Sequence, residues 1–76
     1  MKRELMRELG SAIKQGRRNV EATHQKWLTA LETDDFEEVE YLYQSEVRGR
    51  AEITGMQRAA RMILRLMRDG AEGRRA

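Results

Sequence analysis

The chain contains no cysteine, no proline, one histidine and only four aromatic residues in 76 positions. Without cysteine there can be no disulfide, no thiolate zinc site and no sulfur nucleophile. Without proline nothing forces a break in a long helix. No Gly-rich phosphate loop and no nucleophile motif occurs, so the chain reads as non-enzymatic, with no cofactor. No apolar run approaches the ~20 residues of a membrane span. No signal-peptide core follows Met1, which makes the cytoplasm the expected compartment. A chain this short builds one small domain with a modest core and usually needs a staple. With disulfides and thiolate zinc unavailable, self-association is the expected one.

Charge, by contrast, is plentiful: 37% of residues are Asp, Glu, Lys or Arg. It is sorted by position. Within residues 19–47 only Lys26 is basic, against Glu21, Glu32, Asp34, Asp35, Glu37, Glu38, Glu40 and Glu46, a net −7. The remaining residues sum to +9, so the overall +2 conceals two opposite poles.

Apolar spacing makes both halves helical. Met6, Ile13, Val20 and Trp27 recur every seven residues, and Leu9, Gly16, Thr23 and Ala30 fill the offset of three. This a/d seam predicts a helix over about 2–32. Val39, Glu46, Ile53, Ala60 and Met67, with Leu42, Gly49, Met56 and Ile63, repeat the pattern and predict a second helix over about 35–69. Glu46 is the one charged residue on that seam. Gly16 on the first seam would let a neighbouring backbone approach closely. Asp34 followed by Glu37 has the spacing of a capping box. Arg65, Arg68 and Gly70 have the character of a helix end, leaving 70–76 as an expected disordered tail.

With only Thr33 and Asp34 between them, the helices must be antiparallel neighbours. The expectation is an all-α hairpin over 1–69. Met62, Ile63, Leu64, Leu66 and Met67 wrap around most of the second helix, more apolar surface than one partner helix can cover. Hairpins are therefore expected to associate, as a dimeric four-helix bundle or a larger helical oligomer. The expected oligomer seam is Ile13, Gly16, Val20, Trp27, Glu46, Gly49, Ile53 and Ile63.

Each pole suggests a partner. Arg58, Arg61, Arg65 and Arg68 are spaced 3, 4 and 3 and form a stripe on the second helix; Arg7, Lys14 and Arg18, with Arg3, form one on the first. Forked guanidinium donors match phosphate oxygens, so these stripes are candidates for RNA, DNA or a phosphorylated small ligand. No aromatic residue lies among them, which disfavours stacking on bases. Every aromatic falls between residues 27 and 43. Trp27 and Phe36 fit a mini-core that closes the hairpin. Tyr41 and Leu28 lie off the seam. With Tyr43, Asp35 and Glu38 they form a candidate contact for a larger protein, since Tyr and Trp dominate binding hot spots.

Glu21 and His24 form a Glu-x-x-His pair, and Glu46 lies opposite them across the hairpin. In a dimer these residues resemble the ligand inventory of di-iron carboxylate bundles. The simpler reading pairs Glu46 with His24, Thr23, Arg17 or Arg50 and fixes helix register. The acids of residues 34–38 lack the glycine-centred loop of a calcium site. In length and shape the expected hairpin is similar to the Rop-type plasmid regulators, dimers of hairpins that bind RNA. It shares no motif with them. Short, charged, cysteine-free helical chains are also typical of phage and plasmid accessory proteins, which occupy a surface on a larger host protein. Regulation or inhibition of such a partner is the leading expectation.

Overall fold

A computed structural model describes the backbone of residues 2–73 and the side chains of residues 2–70. It is a helical hairpin: α1 spans Lys2–Glu32 and α2 spans Phe36–Gly73. The two helices pack along their length into a rod of 64 × 15 × 13 Å. The seam residues face inward as the spacing requires. Val20, Ala30, Ile53 and Glu46 are buried, and Ile13, Gly16, Trp27, Gly49 and Ile63 are half-buried between α1 and α2. The residues expected on an oligomer seam thus lie at the contact between the two helices of one chain.

Gly16 and Gly49 set how closely the helices approach. A Cβ on Gly16 would lie 3.0 Å from Cγ1 of Ile53, and one on Gly49 would lie 2.8 Å from Cγ2 of Val20. Each glycine receives a branched side chain from the opposite helix. These two contacts also fix the register, pairing residue 16 with 53 and 20 with 49.

The turn departs from the expected one by a residue. Asp34 adopts φ 59°, the left-handed region. Its N–H donates to the Leu31 carbonyl at 3.2 Å, and the Asp35 N–H donates to the Ala30 carbonyl at 3.0 Å. This 5→2 and 6→1 pair is a Schellman motif, with Asp34 where glycine is usual. Asp34 is therefore the C′ residue of α1 and cannot cap α2. Asp35 does so: its Oδ1 accepts from the Glu38 N–H at 3.4 Å, the N-cap to N3 pattern. The connection is Thr33–Asp35, and α2 starts at Phe36 instead of at 35. At the other end α2 passes through Gly70 to Gly73. No described glycine has positive φ, so Gly70 does not supply the left-handed stop that its position suggested. The last three residues of the expected disordered tail lie outside the described residues.

Candidate functional site

Helical geometry divides the exposed surface of the hairpin into two sides. With the seam at a and d, the e and b positions of both helices open on one side and the g and c positions on the other. The e/b side carries Arg3, Arg7, Lys14, Arg17, Arg50, Arg61 and Arg68, with Glu21 and Glu40. Toward the turn it carries His24, Leu28, Leu31, Phe36, Tyr43 and Val47. The g/c side carries small or mixed residues: Ala12, Asn19, Ala22, Ser45, Gly55 and Ala59, and the larger Leu5, Tyr41, Met62 and Leu66.

This placement splits the expected protein-contact surface. Leu28 and Tyr43 lie on the e/b side. Tyr41 lies on the g/c side, because two residues along a helix turn the side chain by ~200°. Glu38 goes with Tyr41; it borders an open depression with Gln25, Lys26, Thr29, Ala30 and Leu42. Asp35 sits at the turn as the cap. Leu28 is half-buried, while Tyr41 is exposed. Phe36, expected in a closing mini-core, stands 63% exposed at the first position of α2. Leu31 and Val47 are also about half exposed and join it on the e/b side. Sequence periodicity could have placed Leu31 and Val47, since both are apolar at flanking positions.

Behind that patch lies a polar and aromatic cluster. His24 Nδ1–H donates to Glu46 Oε1 at 2.7 Å, and the Arg50 guanidinium donates to the same oxygen at 3.4 Å. Burial pushes the Glu46 carboxyl up, but the hydrogen bond and charge of His24, and then of Arg50, outweigh it. The net effect holds the group below its ordinary value of 4.5. The Trp27 ring makes edge-to-face contacts with His24 at 4.8 Å and with Tyr43 at 6.1 Å. Trp27 Nε1 is buried and makes no hydrogen bond among the described residues. An unpaired buried donor costs about 1–3 kcal/mol; the two ring contacts, about 0.5–1.5 kcal/mol each, offset much of that.

The metal-ligand candidates do not converge. His24 and Glu46 meet, but Glu21 is exposed and lines a different groove with Arg17, Val20, Arg50, Ile53 and Thr54. Among the described residues no group of three His, Asp or Glu side chains is placed to hold a metal ion. Glu46 instead holds the alternative role, pairing with His24 and Arg50 across and along the helices.

The arginine stripes are exposed throughout. Arg61, Arg65 and Arg68 border one open depression of about 500 Å³ with Leu64 and Asp69. Arg18, Arg58 and Arg65 lie at f positions, at the back of the rod, whereas Arg7, Lys14, Arg61 and Arg68 lie on the e/b side. Arg17 and Arg50, outside the expected stripes, join them there. No helix among the described residues is long and apolar enough to cross a membrane. Compared with known protein families, curated proteins and solved structures, the chain matches none.

Proposed function

We propose that the chain is a small, self-associating, non-enzymatic binding protein that regulates or inhibits a larger protein partner by docking its turn end onto it. The observation that carries this reading is the exposure of Leu31, Phe36, Tyr43 and Val47, between 45% and 63%, at the turn end of one side. Asp34, Asp35, Glu37 and Glu40 surround them. Exposed aromatic anchors inside a ring of like charge are the anatomy of a recognition patch: the anchors supply affinity and the acids steer a basic partner surface toward them.

Self-association is supported by area. The chain exposes 6529 Å², whereas a compact monomer of 8.9 kDa exposes about 4,800 Å². The excess of roughly 1,700 Å² exceeds the ~800 Å² that each partner buries in a standard interface.

The test is a double variant, Phe36→Ala with Tyr43→Ala, both at exposed positions. Partner capture from the source cell should fall at least ~30-fold, given ~1 kcal/mol or more per anchor, while the mass in solution stays that of the wild type. Capture that survives the double change sinks the reading.

A further inference from the structure

The other half of the e/b side has no role in that reading. Arg3, Arg7, Lys14 and Arg17 on α1 and Arg61 on α2 make no ion pair among the described residues. Arg50 reaches Glu46 with one nitrogen and remains largely exposed. Only Glu21 intrudes. On the opposite side Glu8, Glu38, Glu52 and Asp69 outnumber Lys26 and Arg48. Solubility alone asks for interspersed charges on both sides; it does not account for this sorting.

The basic side chains form two parallel rails. The packing register sets Arg17 level with Arg50, which line one groove, and places Arg7 level with Arg61. From Arg3 to Arg17 the rail runs about 21 Å at 1.5 Å per residue, and the rails stand about 8–10 Å apart. We propose that this surface binds the phosphate backbone of double-stranded nucleic acid without reading its sequence.

Three features choose that ligand. A straight rod with fixed cation spacing matches the regular phosphates of a duplex, which carries one charge per ~1.7 Å of axis. No Phe, Tyr or Trp lies between residues 1 and 26 or between 44 and 76, and the His24 ring is engaged by Glu46 and Trp27, so no free ring among the rails offers a stacking platform for the unpaired bases of a single strand. An interfacial membrane helix needs an apolar face to insert beside its basic flank; here Gly10, Thr54 and Gln57 occupy the positions between the cations, and Leu64 is the one large apolar residue.

The test uses the full chain and labelled mixed-sequence 30-base-pair duplexes of DNA and of RNA, followed by fluorescence anisotropy. About five phosphate contacts give a slope of log K against log salt near −4.5 on DNA, a roughly 500-fold loss between 50 and 200 mM. Binding to either duplex with such a slope supports the proposal, and the two arms assign the helical form. The variant Arg7→Gln, Lys14→Gln, Arg17→Gln, Arg61→Gln should lose at least 100-fold at 50 mM salt and flatten the slope to about −1. All four positions are exposed, and unchanged helicity by circular dichroism confirms folding. Lys26→Gln with Arg48→Gln, on the opposite side, should bind as the wild type does. So should Phe36→Ala with Tyr43→Ala, which separates this surface from the turn-end patch. Wild-type binding to phosphatidylserine vesicles but not to duplexes overturns the proposal. Undiminished affinity and slope in the fourfold variant also overturn it.

Discussion

Replacing Gly49 with alanine should destabilise the hairpin, although helix propensity alone says the opposite. Alanine is favoured over glycine inside a helix by about 1 kcal/mol. At Gly49 the added Cβ would lie 2.8 Å from Cγ2 of Val20. Ordinary carbon contact begins near 3.5–4.0 Å, so something must move by roughly 1 Å. Val20 cannot swing aside cheaply: it is buried, and a valine in a helix holds one χ1 rotamer about 90% of the time. The helices must separate locally instead, and overpacking of this kind costs about 1–3 kcal/mol. The expected net is a loss of about 1 kcal/mol, or a melting temperature lower by about 4–8 °C.

Gly10 supplies the reference, because a Cβ there would meet nothing within 4 Å. Gly10→Ala should therefore stabilise by up to about 1 kcal/mol. Thermal unfolding followed at 222 nm, with protein concentration held equal because self-association shifts the midpoint, reads both. Opposite signs are expected. Combining Gly49→Ala with Val20→Ala removes the clashing methyl, so the pair should lose less than the sum of its parts. If Gly49→Ala raises the melting temperature as much as Gly10→Ala does, the close approach of α2 to Val20 is not a packing constraint and the reasoning fails.

Two further substitutions test the cluster and the turn. Glu46→Gln keeps the side-chain volume but removes the charge that His24 and Arg50 face. Glu46 titrates below its ordinary value of 4.5 in the fold, so the unfolded chain binds the proton first as pH falls. Its contribution is complete above the unfolded value and is lost as pH drops through the folded one. Wild type minus variant stability, measured from pH 6 to pH 3, should shrink in the acid part of that range; a constant difference would exclude an ionised Glu46 as the source. Asp34→Gly should stabilise the hairpin by about 0.5–1 kcal/mol, because Asp34 holds φ 59° at the helix end, where a Cβ is strained. A lower denaturation midpoint for Asp34→Gly would mean that its carboxylate, not its backbone, is what the turn uses.

The seam spacing made both helices legible in the sequence, and the short connection between them made their antiparallel pairing legible. Glu46 on that seam, paired with His24, Thr23, Arg17 or Arg50, was one reading of the sequence, and His24 and Arg50 are the partners it has. The expected cap at Asp34 is one residue early for a concrete reason. The run Asp34, Asp35, Phe36, Glu37, Glu38 offers the capping spacing twice, from Asp34 to Glu37 and from Asp35 to Glu38. Choosing between them requires knowing that Asp34 closes α1 in the left-handed region, which depends on the Ala30 and Leu31 carbonyls and not on local pattern. That single step exposes Phe36 on the outside of the first turn of α2. Tyr41 and Tyr43 are close in sequence, yet a helix sends them to opposite sides. The rails were obscured in the same way: stripes read along one helix mix b with f positions, and Arg17 and Arg50 become neighbours only when the register joins the two helices.

The two proposed surfaces share one side of a rod 64 Å long. At physiological salt the screening length is about 8 Å, so the poles act as separate fields and the net charge of +2 governs neither. This has a directional consequence. A duplex held by Arg3, Arg7, Lys14 and Arg17 is repelled by the carboxylates from Glu32 to Glu40, which confines it to the open end. A basic protein surface attracted by those carboxylates is repelled by the rails, which confines it to the turn. Sorted charge on a single side can therefore hold two unlike partners at fixed separate positions, with Glu46, His24 and Trp27 at the boundary keeping the helices in the register that both surfaces need.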